Sequence, residues 1–355
     1  MPRTALRILL LCPIVFTFAV TQVSAVAVRA EAQITPGEMR EAGLVVGDIV
    51  VPDFTGGILL YNGQGTFIEK LLTVPDSTSG VVVSCCLTFG PDENLYVSSP
   101  TASSVVRLNG VTGEFIDTFI QPGSGGLVIP LILLFQGDYL YVGDTGAGAI
   151  RRYNAHTGAF VDNFIPDVTH VAFDLQCFAF GPDNNLYVAL EASKKIMRYN
   201  GKTGAFVDEF VPSTAGLSPS GLTFGPDGLL YAGSPATGEV RRYNLSTGAR
   251  EVFIPGGGTL SVPVGIAFGP DGNFYATSVG FSAILAYDGE TGAFLGPLVP
   301  SGLGGIGGPR TLAWKAKTTV CHVPPGRNSK SKSLTIGYLS ARDHLRHGDT
   351  LGPCQ

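Results

Sequence analysis

A six-bladed β-propeller is the fold that this sequence predicts, and two observations predict it. A segment with four short apolar runs recurs along the chain, and the first run of each copy ends on an aromatic residue. These aromatic residues stand 44 to 46 positions apart, at Phe89, Phe135, Phe180, Phe224, Phe268 and Trp314. Repeats of this length with four strand-like runs are typical of propeller blades. We therefore expect an all-β chain of four-stranded antiparallel sheets arranged around a central channel.

The turns of each repeat are predicted by two recurring motifs. Gly-Pro-Asp separates the first two runs, as at Gly225 to Asp227, and Asn-x-x-Thr-Gly separates the last two, as at Asn244 to Gly248. Pro presets φ for a turn, Asp closes it with its side chain, and Gly accepts positive φ. Both turns lie at one end of the blades, which we call the uniform face. The connections from strand two to strand three, and from blade to blade, open on the opposite variable face.

The two ends of the repeat region give the blade count. The segment from Asp48 matches strands two to four of the repeat but lacks a first strand, whereas Thr311 to Trp314 reads as a first strand with nothing after it. Together they make one composite blade, which added to five complete copies gives six. Pairing the two ends in one blade also removes exposed sheet edges.

The repeat resembles the NHL type of six-bladed propeller, on copies such as LTFGPDGLLYAGSPATGEVRRYNLSTGAREVF from Leu222. It is similar, more weakly, to the gluconolactonase-like and virginiamycin B lyase-like propellers. The resemblance covers about three quarters of the chain. These families include lactonases, lyases and binding modules, so the resemblance implies an architecture and leaves the activity open.

The chain divides into four predicted segments. Residues 1–25 carry Arg3 and Arg7, an apolar run and a small-residue site ending at Ala25, the pattern of a secretory signal peptide. A lead-in segment, 26–46, precedes the propeller, 47–317, and a small Cys/His module, 318–355, follows it. We expect a secreted protein, extracellular or periplasmic, without a membrane span in the mature chain.

Composition bounds the partners. Charged residues make up 14% of the chain and the net charge is −5, with no basic stripe. The repeated arginine pairs, Arg151-Arg152 and Arg241-Arg242, fall at one strand position in different blades, so we interpret them as solvated strand residues. We expect no nucleic-acid partner, and we expect a monomer.

Five cysteines remain after removal of Cys12 with the signal peptide. Cys86 and Cys177 occupy equivalent positions on inner strands, and we interpret them as small core residues. A strained vicinal Cys85–Cys86 disulfide stays open as an alternative.

The last segment resembles a short module, CHxPPG…HLxHGDxxGxC, found at the ends of assorted bacterial exported proteins, and it indicates a bacterial origin. The matching residues are Cys321, His322, Pro324, Pro325, Gly326, His344, Leu345, His347, Gly348, Asp349, Gly352 and Cys354. Two interpretations stay open. A Cys321–Cys354 disulfide would replace a core in so small a unit. Alternatively, His322, His344 and His347, joined by Asp349, would bind a metal such as Zn²⁺.

Candidate site residues are the polar ones on the variable face, because function on a rigid scaffold collects in such loops. The binding residues that we predict at the mouth of the channel are Asp53, Asp144, Glu191, His170 and Asp174. Further polar residues of the same connections are Ser99, Ser234, Thr277, Asp167 and Gln176. No residue is assigned as catalytic.

Two classes of function follow from these residues. We favour a secreted binding scaffold for a protein or polysaccharide, because the repeats predict a fold and no nucleophile elbow, metal motif or phosphate loop accompanies them. The alternative is an enzyme at the same mouth. It would be a lactonase-like hydrolase holding Ca²⁺ or Zn²⁺ through residues such as Asp144 and Glu191, or a lyase using His170.

Overall fold

The computed structural model describes residues 47–55, 57–73, 86–168 and 174–315, together with the backbone of three short strands in the tail. The predicted signal peptide, 1–25, and lead-in, 26–46, lie outside the described residues. No helix within these described ranges is long and apolar enough to cross a bilayer.

Six four-stranded antiparallel sheets form the propeller. Blade 1 contains β1 (Ile49–Asp53), β2 (Gly57–Tyr61) and β3 (Phe67–Leu72). Blade 2 contains β4 (Leu87–Phe89), β5 (Leu95–Ser99), β6 (Ser104–Leu108) and β7 (Phe115–Ile120). Blade 3 contains β8 (Pro130–Gln136), β9 (Tyr139–Asp144), β10 (Ala149–Asn154) and β11 (Phe160–Ile165).

The second half of the chain repeats this order. Blade 4 contains β12 (Leu175–Phe180), β13 (Asn185–Leu190), β14 (Lys195–Asn200) and β15 (Phe206–Val211). Blade 5 contains β16 (Leu222–Phe224), β17 (Leu230–Ser234), β18 (Glu239–Tyr243) and β19 (Arg250–Ile254). Blade 6 contains β20 (Pro263–Phe268), β21 (Phe274–Ser278), β22 (Ala283–Tyr287) and β23 (Phe294–Val299). Strand β24 (Ala313–Trp314) completes blade 1.

Short 3₁₀ helices occur in the described connections of the variable face. They are η1 (Pro100–Ala102), η2 (Ser124–Gly126), η3 (Ser213–Ala215), η4 (Val279–Phe281) and η5 (Leu303–Gly305). In the tail, β25 (Thr318–His322) pairs with β26 (Lys332–Ile336) and β27 (Thr350–Leu351) in a separate three-stranded sheet.

The composite blade is confirmed. Strand β24 pairs antiparallel with β1, with Trp314 opposite Ile49 and Ala313 opposite Val50. The Trp314 indole also packs edge to face on Tyr275 of blade 6, with 4.8 Å between ring centroids. The C-terminal strand of the propeller therefore closes the ring by joining the first blade to the last.

The two repeated turns have the predicted chemistry. Asp227 accepts a hydrogen bond from the backbone N–H of Leu229 at 3.0 Å and a second from the hydroxyl of Tyr231 at 2.8 Å. Asn244 Oδ1 accepts the N–H groups of Ser246 and Thr247, both at 3.0 Å. These side chains are used within their own turns, and the tyrosine partner of the Asp was not anticipated from the sequence.

Neighbouring blades contact each other through aromatic side chains. Tyr96 of blade 2 packs edge to face on Phe135 of blade 3 at 4.8 Å, and Tyr231 of blade 5 packs on Phe268 of blade 6 at 5.0 Å. The aromatic that closes the first strand thus fits against the preceding blade. Such pairs contribute about 0.5–1.5 kcal/mol each beyond their burial, so the repeated aromatic holds the ring of blades together.

The repeated arginines form ion pairs within their blades. Arg152 pairs with Asp162 of the adjacent strand at 2.5 Å and lies over the Phe164 ring at 4.8 Å. Arg107, Arg198 and Arg242 bind a carboxylate on the neighbouring outer strand in the same way. These side chains are half-buried and paired, rather than freely solvated as the sequence predicted.

Candidate functional site

The last residue of strand two marks the same point at the variable face in every blade. In each blade it is opposite the first residue of strand three, which fixes its equivalence. The six residues are Asp53, Ser99, Asp144, Leu190, Ser234 and Ser278. Two of the predicted binding residues, Asp53 and Asp144, thus occupy equivalent positions, whereas Glu191 lies one residue beyond this position in blade 4.

Asp53 holds the incoming connection from blade 6. The carboxylate is fully buried. Its Oδ1 accepts the N–H of Thr55 at 2.8 Å and the Thr55 hydroxyl at 2.6 Å. Its Oδ2 accepts the N–H groups of Gly307 at 2.9 Å and Gly308 at 2.8 Å, more than 250 residues away. Both oxygens are therefore committed to ordering the loops around blade 1.

Asp144 has the same role in blade 3, with an ion pair added. Its oxygens accept the N–H groups of Val128 at 3.1 Å and Ile129 at 2.9 Å, in the connection from blade 2. Arg151 donates from Nε to Asp144 at 2.8 Å and from its other nitrogens to the carbonyls of Gly125 at 2.6 Å and Gly126 at 2.8 Å. Both charged groups are buried, so this pair fixes the loop from within.

Blade 4 exchanges these roles. The last residue of strand two caps the incoming loop in blades 1 and 3, but in blade 4 this capping position is occupied by Leu190. The carboxylate comes instead from Asp174, just before the inner strand. Asp174 accepts hydrogen bonds from the backbone N–H of Ser193, at 3.0 Å, and from the Ser193 hydroxyl. The carbonyl of Asp174 accepts the N–H of Glu191 at 3.0 Å. Asp174 and Glu191 are thus adjacent at the variable face. His170, another predicted binding residue, lies outside the described residues.

Hydroxyls perform the capping in two further blades. Ser278 Oγ accepts the N–H of Ser261 at 3.1 Å and donates to its carbonyl at 3.0 Å. Ser234 Oγ accepts the N–H of Ser218 at 3.4 Å. Thr277, which the sequence suggested for blade 6, accepts the N–H of Gly265 at 2.8 Å. Most of these polar residues therefore order the loops of this face; the exception is Ser99 in blade 2, whose buried hydroxyl has no hydrogen-bond partner among the described residues.

A metal cluster was the second expectation for this mouth. Within the described ranges, no group of three or more His, Cys, Asp or Glu side chains is placed to hold a metal ion. Asp144 is instead neutralised by Arg151. The described residues therefore give no support to a cation held through Asp144 and Glu191.

The inner-strand cysteines have the packing predicted for core residues. The buried Cys177 thiol contacts the carbonyl of Leu222 on the next blade, with sulfur and oxygen 3.9 Å apart, and burial raises the pKa of this thiol. Cys86 packs against the hydrophobic core of blades 3 and 4. Cys85 lies outside the described residues. A thiol with a raised pKa is less readily ionised at neutral pH, which fits the core role predicted for Cys177.

The tail ligands stay predictions. Backbone pairing places Cys321 opposite Ser333 and Thr350, and His322 opposite Lys332. The side chains of the tail, and the whole of His344, His347 and Cys354, lie outside the described residues. The disulfide and the metal interpretations of this module are therefore both open.

An exposed patch where blades 6 and 1 meet was missed by the sequence interpretation. Its members are Phe54, Phe281, Leu303 and Arg310, and we call it the blade 6–1 patch. The three apolar side chains are 39%, 49% and 39% exposed. The Arg310 guanidinium carbon lies 5.4 Å from the centre of the Phe54 ring. Aromatic and arginine side chains of this kind are enriched at protein interfaces.

Hydrogen bonds to the connection from blade 6 bring the patch together. Phe54 N–H donates to the carbonyl of Gly308 at 3.0 Å. Ser282, which follows Phe281, donates its hydroxyl to the carbonyl of Gly307 at 2.9 Å. Phe54 and Phe281 each follow the capping position closely in the sequence, and that position was the signal that could have identified them.

Comparison with known proteins shows the fold. Neither a protein-family model nor a curated protein matches the chain. Among solved structures, a chain of a nidogen/laminin complex is similar, with a TM-score of 0.61 and 17% identity over 76% of this chain and 98% of that one. A catalytically inactive virginiamycin B lyase from Staphylococcus aureus with quinupristin gives a TM-score of 0.50 and 17% identity over 70% and 83%. A streptogramin B lyase gives 0.48 and 16% over 69% and 71%.

The likenesses to the nidogen/laminin chain and to the inactive virginiamycin B lyase support the propeller architecture and go no further. Both identities are 17%, too low for activity to be transferred, and one structure is a lyase whereas the other belongs to a protein complex. The resemblance to NHL repeats stays a prediction.

Proposed function

We propose that this chain is a secreted, non-catalytic binding propeller that holds a protein partner on its variable face. The observation that carries the proposal is the blade 6–1 patch, where three exposed apolar side chains belong to neighbouring loops and the half-buried cation Arg310 lies against one of them, Phe54. Exposed apolar side chains grouped on one face are characteristic of interaction sites.

The carboxylates of the same face support this proposal by what they already bind. Asp53 and Asp144 each accept hydrogen bonds from loop backbone groups through both oxygens. Moving such a group to a metal or a substrate would release buried N–H donors, each at a cost of about 1–3 kcal/mol. They are suited to presenting loops in a fixed shape, which limits the entropy lost on binding.

The likeness to a chain from a nidogen/laminin complex is consistent with a binding role, because a propeller of this architecture occurs there in a protein assembly. The lyase alternative depends on a histidine at the mouth of the channel. Within the described ranges of the propeller, leaving the tail strands aside, the one histidine is His156, and it lies in the blade 3 turn on the opposite, uniform face. A lyase would therefore depend on His170.

A paired assay separates the two proposals. The purified chain would be tested for binding to a panel of extracellular proteins and polysaccharides, and for turnover of lactones and cyclic depsipeptides with and without Ca²⁺ or Zn²⁺. We expect a protein ligand whose affinity falls at least about ten-fold in a Phe54→Ser/Phe281→Ser variant. The matched control is Phe206→Ser, at a still more exposed phenylalanine on the outer strand of blade 4.

The binding proposal fails if no ligand depends on the variable face. Turnover that is lost in His170→Ala, with no ligand bound, would establish the lyase alternative. Turnover that requires added metal would establish the hydrolase alternative.

A further inference from the structure

Arg310 has no polar partner in the part of the chain that the structure describes. Eight arginines lie in the described ranges, and seven of them donate hydrogen bonds to a carboxylate or a carbonyl: Arg107, Arg151, Arg152, Arg198, Arg241, Arg242 and Arg250. Among the described residues, the guanidinium of Arg310 contacts the Phe54 ring and no hydrogen-bond acceptor. A half-buried guanidinium without an anion is unusual, because its five donors normally find acceptors.

The backbone that carries Arg310 is held rigidly. Its N–H donates to the carbonyl of Pro52 at 3.0 Å, and its own carbonyl accepts the hydroxyl of Thr277 at 2.9 Å. A Cβ on Gly265 would stand 2.3 Å from the Arg310 carbonyl oxygen, so the neighbouring inner strand approaches as closely as glycine allows. The Arg310 side chain therefore extends from a backbone that is held on both sides.

The described residues around Arg310 leave its charge without a counter-ion. Asp53 lies near Arg310 because it forms a β-bridge with the preceding residue, Pro309. Both of its carboxylate oxygens already accept hydrogen bonds, from Thr55, Gly307 and Gly308. The other members of the blade 6–1 patch are apolar and exposed. A ligand for this patch must therefore supply one anionic group together with apolar surface on either side of it.

We propose that the blade 6–1 patch recognises an acidic peptide segment, in which the carboxylate of one Asp or Glu binds Arg310 and a flanking apolar side chain packs on Phe54 and Phe281. This inference rests on the proposed function and specifies the chemistry of its partner. A polyanionic chain such as a polyuronate fits less well, because one cation stands among apolar groups on a chain of net charge −5. Arginine binds carboxylates with two parallel hydrogen bonds, which gives the pair direction as well as strength.

The test selects a random peptide library against the immobilised full-length protein and compares it with three variants, of which Phe54→Ser removes the aromatic contact. Arg310→Gln removes the patch cation, and Arg250→Gln removes one positive charge from the outer strand of blade 5 as the matched control. We expect selected peptides to carry Asp or Glu within two residues of Leu or Phe. Their affinity should fall about ten- to one-hundred-fold in Arg310→Gln and stay unchanged in Arg250→Gln.

Each other outcome is informative. Peptides that lose affinity in Phe54→Ser but show no acidic preference, and bind Arg310→Gln normally, overturn this inference while leaving the proposed function intact. Binding that neither Phe54→Ser nor Arg310→Gln changes overturns both. Selection of no peptide, or binding of polygalacturonate lost in Arg310→Gln, overturns the peptide assignment; the latter result makes the ligand an acidic polysaccharide.

Discussion

Replacing Asp144 with Asn tests whether the buried carboxylates serve to order loops. Asp144 is fully buried, accepts N–H groups from Val128 and Ile129, and neutralises Arg151, which is 7% exposed. Asn keeps the size of the side chain and one acceptor, but leaves a buried guanidinium without its counter-ion. Removing one partner of a buried pair costs about 3–5 kcal/mol.

A double-mutant cycle measures the interaction energy between Asp144 and Arg151. Arg151→Met removes the cation while keeping a long apolar side chain, so the Asp144→Asn/Arg151→Met variant leaves no unpaired buried charge. We expect the double variant to lose less stability than the sum of the two single variants, with a coupling energy of about 1–3 kcal/mol. The single Asp144→Asn change should lower the melting temperature by about 10 °C, since each kcal/mol corresponds to about 2–4 °C in a domain of this size.

The assay is thermal unfolding followed by circular dichroism, with and without Ca²⁺. The loop-ordering role predicts the same loss in both conditions. The opposite result would be that Ca²⁺ stabilises the wild-type protein, whereas the Asp144→Asn variant has unchanged stability and no response to Ca²⁺. That result would contradict the loop-ordering role and make Asp144 a cation ligand.

Three further predictions concern closure, pH and the tail. A chain ending at Gly308 lacks β24 and should lose cooperative unfolding, whereas one ending at Lys317 should keep it; equal denaturation curves would contradict the composite blade. Burial lowers the pKa of Lys315 to about 8, so the unfolded chain holds this proton between about pH 8 and 10.5 while the folded chain does not. Stability should therefore rise with pH across that window by about 3 kcal/mol, and this rise should vanish in Lys315→Met. If Cys321 and Cys354 form a disulfide, non-reducing digestion and mass spectrometry will recover their peptides joined; free thiols and protease sensitivity on chelation would favour the metal site.

The fold could be predicted because its determinants are local and repeated. The aromatic that ends each first strand, such as Phe135 or Phe268, recurs at the blade period and contacts the preceding blade. The turns use side chains two or four residues from their partners. Blade closure was predictable for a different reason, because each end of the repeat lacked what the other supplied.

The site could be predicted only in part because its partners are distant in the sequence. Asp53 was identified as polar and near the mouth, but its donors at Gly307 and Gly308 lie in the last connection of the propeller. In blade 4 the capping position is occupied by the apolar Leu190, so the sequence pattern pointed to the next polar residue, Glu191, as the binding residue. Among the described residues Arg310 has no anionic partner, and this depends on residues distant in the sequence, so no local pattern predicts it.

Oxidative footprinting of the protein with and without its bound partner tests directly whether the partner binds at the blade 6–1 patch. Hydroxyl radicals label exposed phenylalanines. The propeller has two such residues on the variable face, Phe54 and Phe281, and two on outer strands, Phe206 and Phe294. We expect the partner to protect Phe54 and Phe281 and to leave Phe206 and Phe294 labelled as before. Protection of Phe206 and Phe294 with full labelling of Phe54 and Phe281 would contradict this expectation.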